Sequence, residues 1–143
     1  MIKLSEVCDN RELFSQRGIK NTKQRNIIYD ILKETSLPLT AEQVYVNLLD
    51  IDKTMNFSTI YRILETFVSK GLVVKSNMTN DNKTMYELSR IDHRHYLTCI
   101  KCKKIITIDS CPLEKLERDL AEATGFSISG HKLEVLGNCP DCQ

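Results

Sequence analysis

The sequence predicts an α/β (α+β) fold of two unlike halves, and three observations carry that prediction. Apolar residues recur at helical spacing from Ser5 to about Lys70, two β-like segments follow directly, and the remainder holds all three His and five of the six Cys. Helices closed by a hairpin make a winged helix-turn-helix, and the second half reads as a small α/β unit. The expected domains are residues 1–88 and 89–143, joined by a short hinge.

Composition sets the outer limits. An apolar fraction of 41% with 27% charged residues is that of a folded chain rather than a disordered one. With 20 Lys+Arg against 19 Asp+Glu, a generally basic nucleic-acid coat is excluded, and any such contact must be local. Residues 1–90 carry 13 Lys+Arg and 11 Asp+Glu, net +2, whereas residues 91–143 carry 7 and 8, net −1. The opening MIKLSEVCDNRELF lacks the apolar core of a signal peptide, and no run approaches the roughly 20 apolar residues of a membrane span. The expectation is a cytoplasmic protein with no membrane partner, in a reducing compartment where paired thiols serve metal or redox chemistry rather than structural disulfides.

The elements follow in order. A weak first helix covers Ser5 to Arg17 and stops at Gly18; a second starts after Asn21 or Thr22, either able to cap it, and buries Ile27, Ile28, Ile31 and Leu32. Thr40-Ala-Glu-Gln43 has the capping-box pattern, with Val44, Leu48 and Leu49 as the apolar stripe of a third helix. In a fourth, Ile60, Ile63, Leu64, Phe67 and Val68 share one face, leaving Ser58, Thr59, Tyr61, Arg62 and Glu65 on the other, and Gly71 suits its C-terminal cap. Leu72 to Lys75 and Thr84 to Leu88 read as the hairpin, separated by the polar run Ser76 to Lys83. Beyond it, Tyr96 to Cys99 and Ile105 to Ile108 read as strands, Pro112 to Ala123 as a helix and Lys132 to Leu136 as a last strand. A unit this small is marginal alone, and metal binding and oligomerisation are natural remedies.

Cys99-Ile-Lys-Cys102 and Cys139-Pro-Asp-Cys142 are two C-x-x-C pairs, each able to present two thiolates to one tetrahedral ion. Residues 103–138 must fold back to unite them, which would make the ion a clamp on the second half. The alternatives are two redox dithiols or unrelated surface thiols, but neither pair sits between a strand and a helix as a thioredoxin-type motif requires, and structural zinc is the expectation. Cys8 reads as an ordinary thiol, and Cys111, beside Pro112 at a helix start, as a packing residue. His93 and His95 lie at i and i+2, on one side of an extended segment; with the distant His131 and Glu114 they offer nitrogen and carboxylate donors that zinc, iron(II) or manganese(II) accepts. From spacing alone, three solvated histidines explain the pattern equally well.

In order and spacing, Gly18-Ile-Lys-Asn-Thr-Lys-Gln-Arg25, Thr40-Ala-Glu-Gln-Val-Tyr45, Ser58-Thr-Ile-Tyr-Arg62, Gly71-Leu-Val73, His93-Arg-His-Tyr-Leu-Thr-Cys-Ile-Lys-Cys102 and Gly130-His-Lys-Leu-Glu134 are signatures, spread over nearly the whole chain. Together they resemble the ferric uptake regulator family of metal-dependent repressors. The resemblance implies a winged-helix DNA reader, a C-terminal α/β dimerisation domain, zinc on the four paired Cys, and a regulatory metal on His93, His95, Glu114 and His131, with His95 where many relatives use Asp. The chain departs from the family where another regulatory site takes a His before the third helix, a Glu at the end of the wing and two His near the first cysteine pair. Pro38, Glu87, Arg94 and Tyr96 stand there, and only Glu87 could still bind metal.

The resemblance further implies a homodimer on an inverted-repeat operator in double-stranded DNA, half-sites about one helical turn apart. Arg62 suits a guanine edge, Tyr61 a thymine methyl or a phosphate, and Ser58 and Thr59 phosphate, with Lys20, Lys23, Arg25 and the wing residue Lys83 as further backbone contacts. The expected function is a metal-responsive transcriptional repressor with iron(II) as corepressor ahead of zinc or manganese, not an enzyme. A zinc- or peroxide-responsive member of the same family and a C-x-x-C dithiol redox enzyme are the alternatives.

Overall fold

The computed structural model describes residues 9–77, 82–89 and 94–143 and divides into two units, Met1–Ser89 and Arg90–Gln143. In the first, α1 (Arg11–Gln16), α2 (Lys23–Glu34), β1 (Leu39–Thr40), α3 (Ala41–Leu49) and α4 (Phe57–Ser69) precede β2 (Val73–Ser76) and β3 (Met85–Leu88). The second contains β4 (His95–Cys99), β5 (Ile105–Ile108), α5 (Glu114–Thr124), β6 (Glu134–Gly137) and a terminal 3-10 turn, Pro140–Cys142.

Side chains set the ends of the helices. Thr22 caps α2 by accepting from the Arg25 amide at 3.2 Å. At α3 the capping box closes both ways, the Gln43 amide donating to the Thr40 hydroxyl at 3.2 Å and the Thr40 amide to the Gln43 side chain at 2.8 Å. The Asn56 side-chain oxygen Oδ1 caps α4, accepting from the Thr59 amide and hydroxyl, both at 2.9 Å. Gly71 ends α4 at φ +71°, in the left-handed region that lets the Leu72 amide turn back onto the Phe67 carbonyl at 2.9 Å.

The apolar faces of α1 to α4 and the strands β2 and β3 meet in one core, with Phe14, Ile31, Val44, Leu48, Leu64 and Phe67 wholly buried. Phe14 is its keystone: its ring lies 5.7 Å from both Tyr29 and Phe67, tying α1 to α2 and α4. A buried polar cluster secures the same corner. The Asn10 amide and side chain both donate to Asn26 at 3.0 Å, and the Asn10 side chain also donates to Asp30 at 3.1 Å.

The first sheet has strand order β1-β3-β2, all antiparallel, with Val73 opposite Leu88 and Leu39 opposite Tyr86. The hairpin is the expected one, but β1 has no counterpart in the sequence reading: two residues after Pro38 carry no periodicity, and only pairing with β3 makes them a strand. Glu65, read from its helical position as outward-facing, is half-buried because β3 reaches it. It accepts from the Tyr86 hydroxyl at 2.9 Å and pairs with Lys75 at 3.1 Å, linking α4 to both strands of the hairpin.

In the second unit β4 is central, in the order β5-β4-β6, antiparallel to β5 and parallel to β6. Its apolar interior is thin. No residue of α5 is buried, and Ile106, Leu116, Leu120, Phe126, Val135 and Leu136 are exposed. Among the described residues no helix is long and apolar enough to cross a membrane. Replacing Phe14 with Ala should lower the stability of the first unit by about 3–5 kcal/mol, the cost of emptying a large aromatic site; urea unfolding followed by far-UV circular dichroism would show the earlier midpoint.

Candidate metal centres and DNA-reading face

Strand register decides which donors meet. Cys99 ends β4 opposite Gly137 of β6, and the Ile100 amide donates to the Gly137 carbonyl at 2.9 Å, so the chain leaving β6 places Cys139 beside Cys99. The first C-x-x-C pair turns back through Lys103 at φ +65°, and the second lies on the terminal 3-10 turn, where the Cys142 amide donates to the Cys139 carbonyl at 2.9 Å. Lys101 Nζ donates to the Cys142 carbonyl at 2.7 Å and holds the two turns together.

All four sulfurs, Cys99, Cys102, Cys139 and Cys142, thereby lie within 4.8 Å of one another, with Cys102 and Cys139 3.6 Å apart. A tetrahedral zinc with bonds of about 2.3 Å would set its sulfurs about 3.8 Å apart, so the donor set and its spacing fit the ion. The thiols are already unequal. The Cys139 amide donates to Cys99 Sγ at 3.4 Å and, with the amide of Cys102, lowers the Cys99 pKa to about 6, whereas hydrogen bonds shared with Cys139 and Cys102 push Cys142 up to about 12. Cys99 is thus the thiol most ready to give up its proton and Cys142 the least, and a bound cation would displace the proton from each ligand.

The opposite end of β4 carries a second convergence. His95 pairs with Ile108 at the end of β5, and Cys111 lies just beyond; His131 lies just ahead of β6. His95 Nε2 is 2.9 Å from His131 Nε2 and 3.3 Å from Cys111 Sγ, and Cys111 Sγ is 3.4 Å from His131 Nε2. Glu117 accepts from His131 Nδ1 at 2.6 Å. An ionised carboxylate can only accept, so a proton sits on Nδ1 and Nε2 is the atom that faces His95 and Cys111.

The structure thus brings His95 and His131 of the histidine set together. Glu114 is exposed in the first turn of α5 and is not among the converging donors, while Glu117, one turn on, is bonded to His131. His93 lies outside the described residues. Glu87 is half-buried on β3, in the first unit. Cys111, expected to pack beside Pro112, has its sulfur carried by the β5–α5 connection to within 3.4 Å of both imidazoles. Sequence spacing hid it, since it lacks a C-x-x-C partner and its neighbours come from distant strands.

On α4, Ser58, Tyr61 and Arg62 are exposed on the face opposite the core. Thr59 is half-buried, its hydroxyl engaged with Asn56. Lys20, Lys23 and Lys83 are exposed, whereas the Arg25 guanidinium donates to the Lys20 carbonyl at 2.8 Å and braces the turn before α2.

The model of the ferric uptake regulator family matches residues 16–136 of this chain. The chain belongs to the ferric uptake regulator family. The "Ferric uptake regulation protein" of Neisseria gonorrhoeae is 34% identical over 139 residues, 96% of each chain. Among solved structures, the Vibrio cholerae ferric uptake regulator has a TM-score of 0.80 at 26% identity, covering 92% of this chain and all of that one. The Francisella tularensis regulator, solved with iron, has a TM-score of 0.75 at 28% identity, covering 87% and 95%. The two units are accordingly the winged-helix DNA-binding domain and the C-terminal dimerisation domain of this family. Its members are metal-responsive transcription regulators rather than enzymes, which removes the dithiol redox reading.

Two measurements test the four-sulfur centre. Zinc bound by purified protein should fall sharply in Cys99→Ser or Cys139→Ser, and release from the wild type should increase on acidification, because each ligand takes back a proton. Full zinc content in both variants would refute the assignment.

Proposed function

We propose that the protein is a cytoplasmic, homodimeric transcriptional repressor that binds an inverted-repeat operator when a second divalent metal joins a structural zinc. The observation that supports it most is the pairing, in one chain, of an outward-facing α4 on a winged helix with two separate donor clusters in the dimerisation domain. The four Cys hold the structural zinc, whose contribution is a cross-link between the β4–β5 turn and the C-terminal turn. The exposed apolar side chains of α5, β5 and β6 are the surface that a second copy covers; without one, this unit has too little buried apolar area to be stable.

In the dimer the two α4 helices read successive major grooves. Arg62 presents a guanidinium fork to a guanine edge, and Tyr61 reaches a thymine methyl or a phosphate. Ser58, at the positive end of the helix, contacts phosphate, as do Lys20, Lys23 and Lys83. Thr59 and Arg25 contribute chiefly by fixing the cap of α4 and the entry to α2, since their polar atoms are already engaged.

The regulatory metal belongs at the His95 end of β4, where His95 and His131 supply nitrogen and His93 and Glu114 are further potential donors. Nitrogen and carboxylate donors favour iron(II) or manganese(II), the basis for placing iron(II) first. Occupancy alters operator affinity by favouring one arrangement of the DNA readers, and a coupling of about 1–3 kcal/mol corresponds to roughly 5- to 150-fold.

Operator affinity measured at fixed salt against buffered free iron(II), manganese(II) and zinc should rise with at least one of them. Arg62→Ala should weaken specific binding by about 1–3 kcal/mol. His131→Ala should abolish the metal response while the cysteine-bound zinc stays in place. A His131→Ala protein that still responds fully to metal would refute the sensor assignment.

A further inference from the structure

The geometry points to Cys111 as a ligand of the second metal centre, which makes it a His95–Cys111–His131 site for zinc or a similarly thiophilic divalent cation, with Glu117 as the group that positions His131. This rests on reading the His95 end of β4 as the regulatory metal site, and it alters that site's chemistry.

Three facts carry it. First, the donors converge: tetrahedral zinc with bonds of about 2.0–2.1 Å to nitrogen and 2.3 Å to sulfur would set N–N near 3.3 Å and N–S near 3.6 Å. The observed separations of 2.9, 3.3 and 3.4 Å are each only a few tenths of an ångström shorter. Second, the donors belong to three elements made neighbours by β4 pairing with β5 and β6: the start of β4, the β5–α5 connection and the segment before β6. Third, the Glu117 carboxylate accepts a hydrogen bond from His131 Nδ1, an arrangement that fixes the tautomer of metal-binding imidazoles, and the His131 side chain is 13% exposed.

The donor chemistry then selects among metals. Two imidazoles and a thiolate match a borderline-soft ion, and a thiolate is a poor partner for manganese(II). Among the described residues the cluster offers three protein donors against four at the cysteine centre. A closed shell of four thiolates suits a permanent ion.

Cobalt(II) is the probe, because sulfur bound to it gives a charge-transfer absorption. Full-length protein with zinc in the four-cysteine site should take up one further cobalt with that absorption and the intense visible bands of a tetrahedral ion. Cys111→Ser should lose the sulfur absorption from this added cobalt while retaining the first zinc, and Glu117→Gln should bind it roughly 10- to 100-fold more weakly with the absorption intact. In the wild type, zinc added beyond the first equivalent should protect Cys111 from alkylation, read by peptide mass spectrometry; this does not depend on a variant folding. Added cobalt without sulfur absorption, or Cys111 alkylated equally fast with and without zinc, overturns the assignment. The sulfur absorption in a protein whose operator affinity ignores metal upholds the site and refutes the repressor switch. A metal-dependent operator affinity with no sulfur absorption does the reverse.

Discussion

The structure of the second unit depends on the register of β4. This five-residue strand, parallel to β6 on one side and antiparallel to β5 on the other, carries His95 at one end and Cys99 at the other. At about 3.3 Å per residue the ends lie about 13 Å apart, too far to share an ion and close enough for one strand to carry both centres. A slip of one residue would turn both side chains to the opposite face, separating Cys99 from Cys139 and His95 from Cys111. The pairing that builds the sheet therefore also gathers both donor clusters.

The two units solve the burial problem differently. The first encloses its apolar faces, with Phe14 between Tyr29 and Phe67 and the Asn10–Asn26–Asp30 cluster sealing its N-terminal corner. The second leaves Leu116, Leu120, Val135 and Leu136 exposed and buries few apolar side chains of its own. Its stability is thus linked to what binds it, since a metal or partner with affinity only for the folded form adds its binding free energy to folding. That linkage makes the unit suited to sensing: the domain with the least core of its own answers most strongly to occupancy.

Within the winged helix, the reading face is held from behind. Glu65 receives Tyr86 from β3 and Lys75 from β2, so the hairpin and α4 share a polar anchor, while the Asn56 cap fixes the first turn that carries Ser58 and Thr59. Tyr61 and Arg62 remain exposed on a helix whose opposite face is locked into the core. This is the arrangement that side chains aimed into a groove require.

By itself the sequence determined the winged helix, the capping box of α3 and the cysteine pairs, because each is encoded locally: the i, i+3, i+4 spacing of Ile60, Ile63 and Leu64, Thr40 and Gln43 three residues apart, the two residues between paired thiols. The family signatures were legible for the same reason. Only the tertiary structure decided what non-local pairing controls. Leu39–Thr40 became a strand because β3 lies beside it, and Glu65 became an anchor because Tyr86 reaches it. Cys111 and Glu117 joined the histidines because β5 and β6 flank β4. In each case the deciding contact lies across the sheet or between elements, where sequence spacing holds no record of distance, and it is there that the proposed sensing chemistry of this regulator is set.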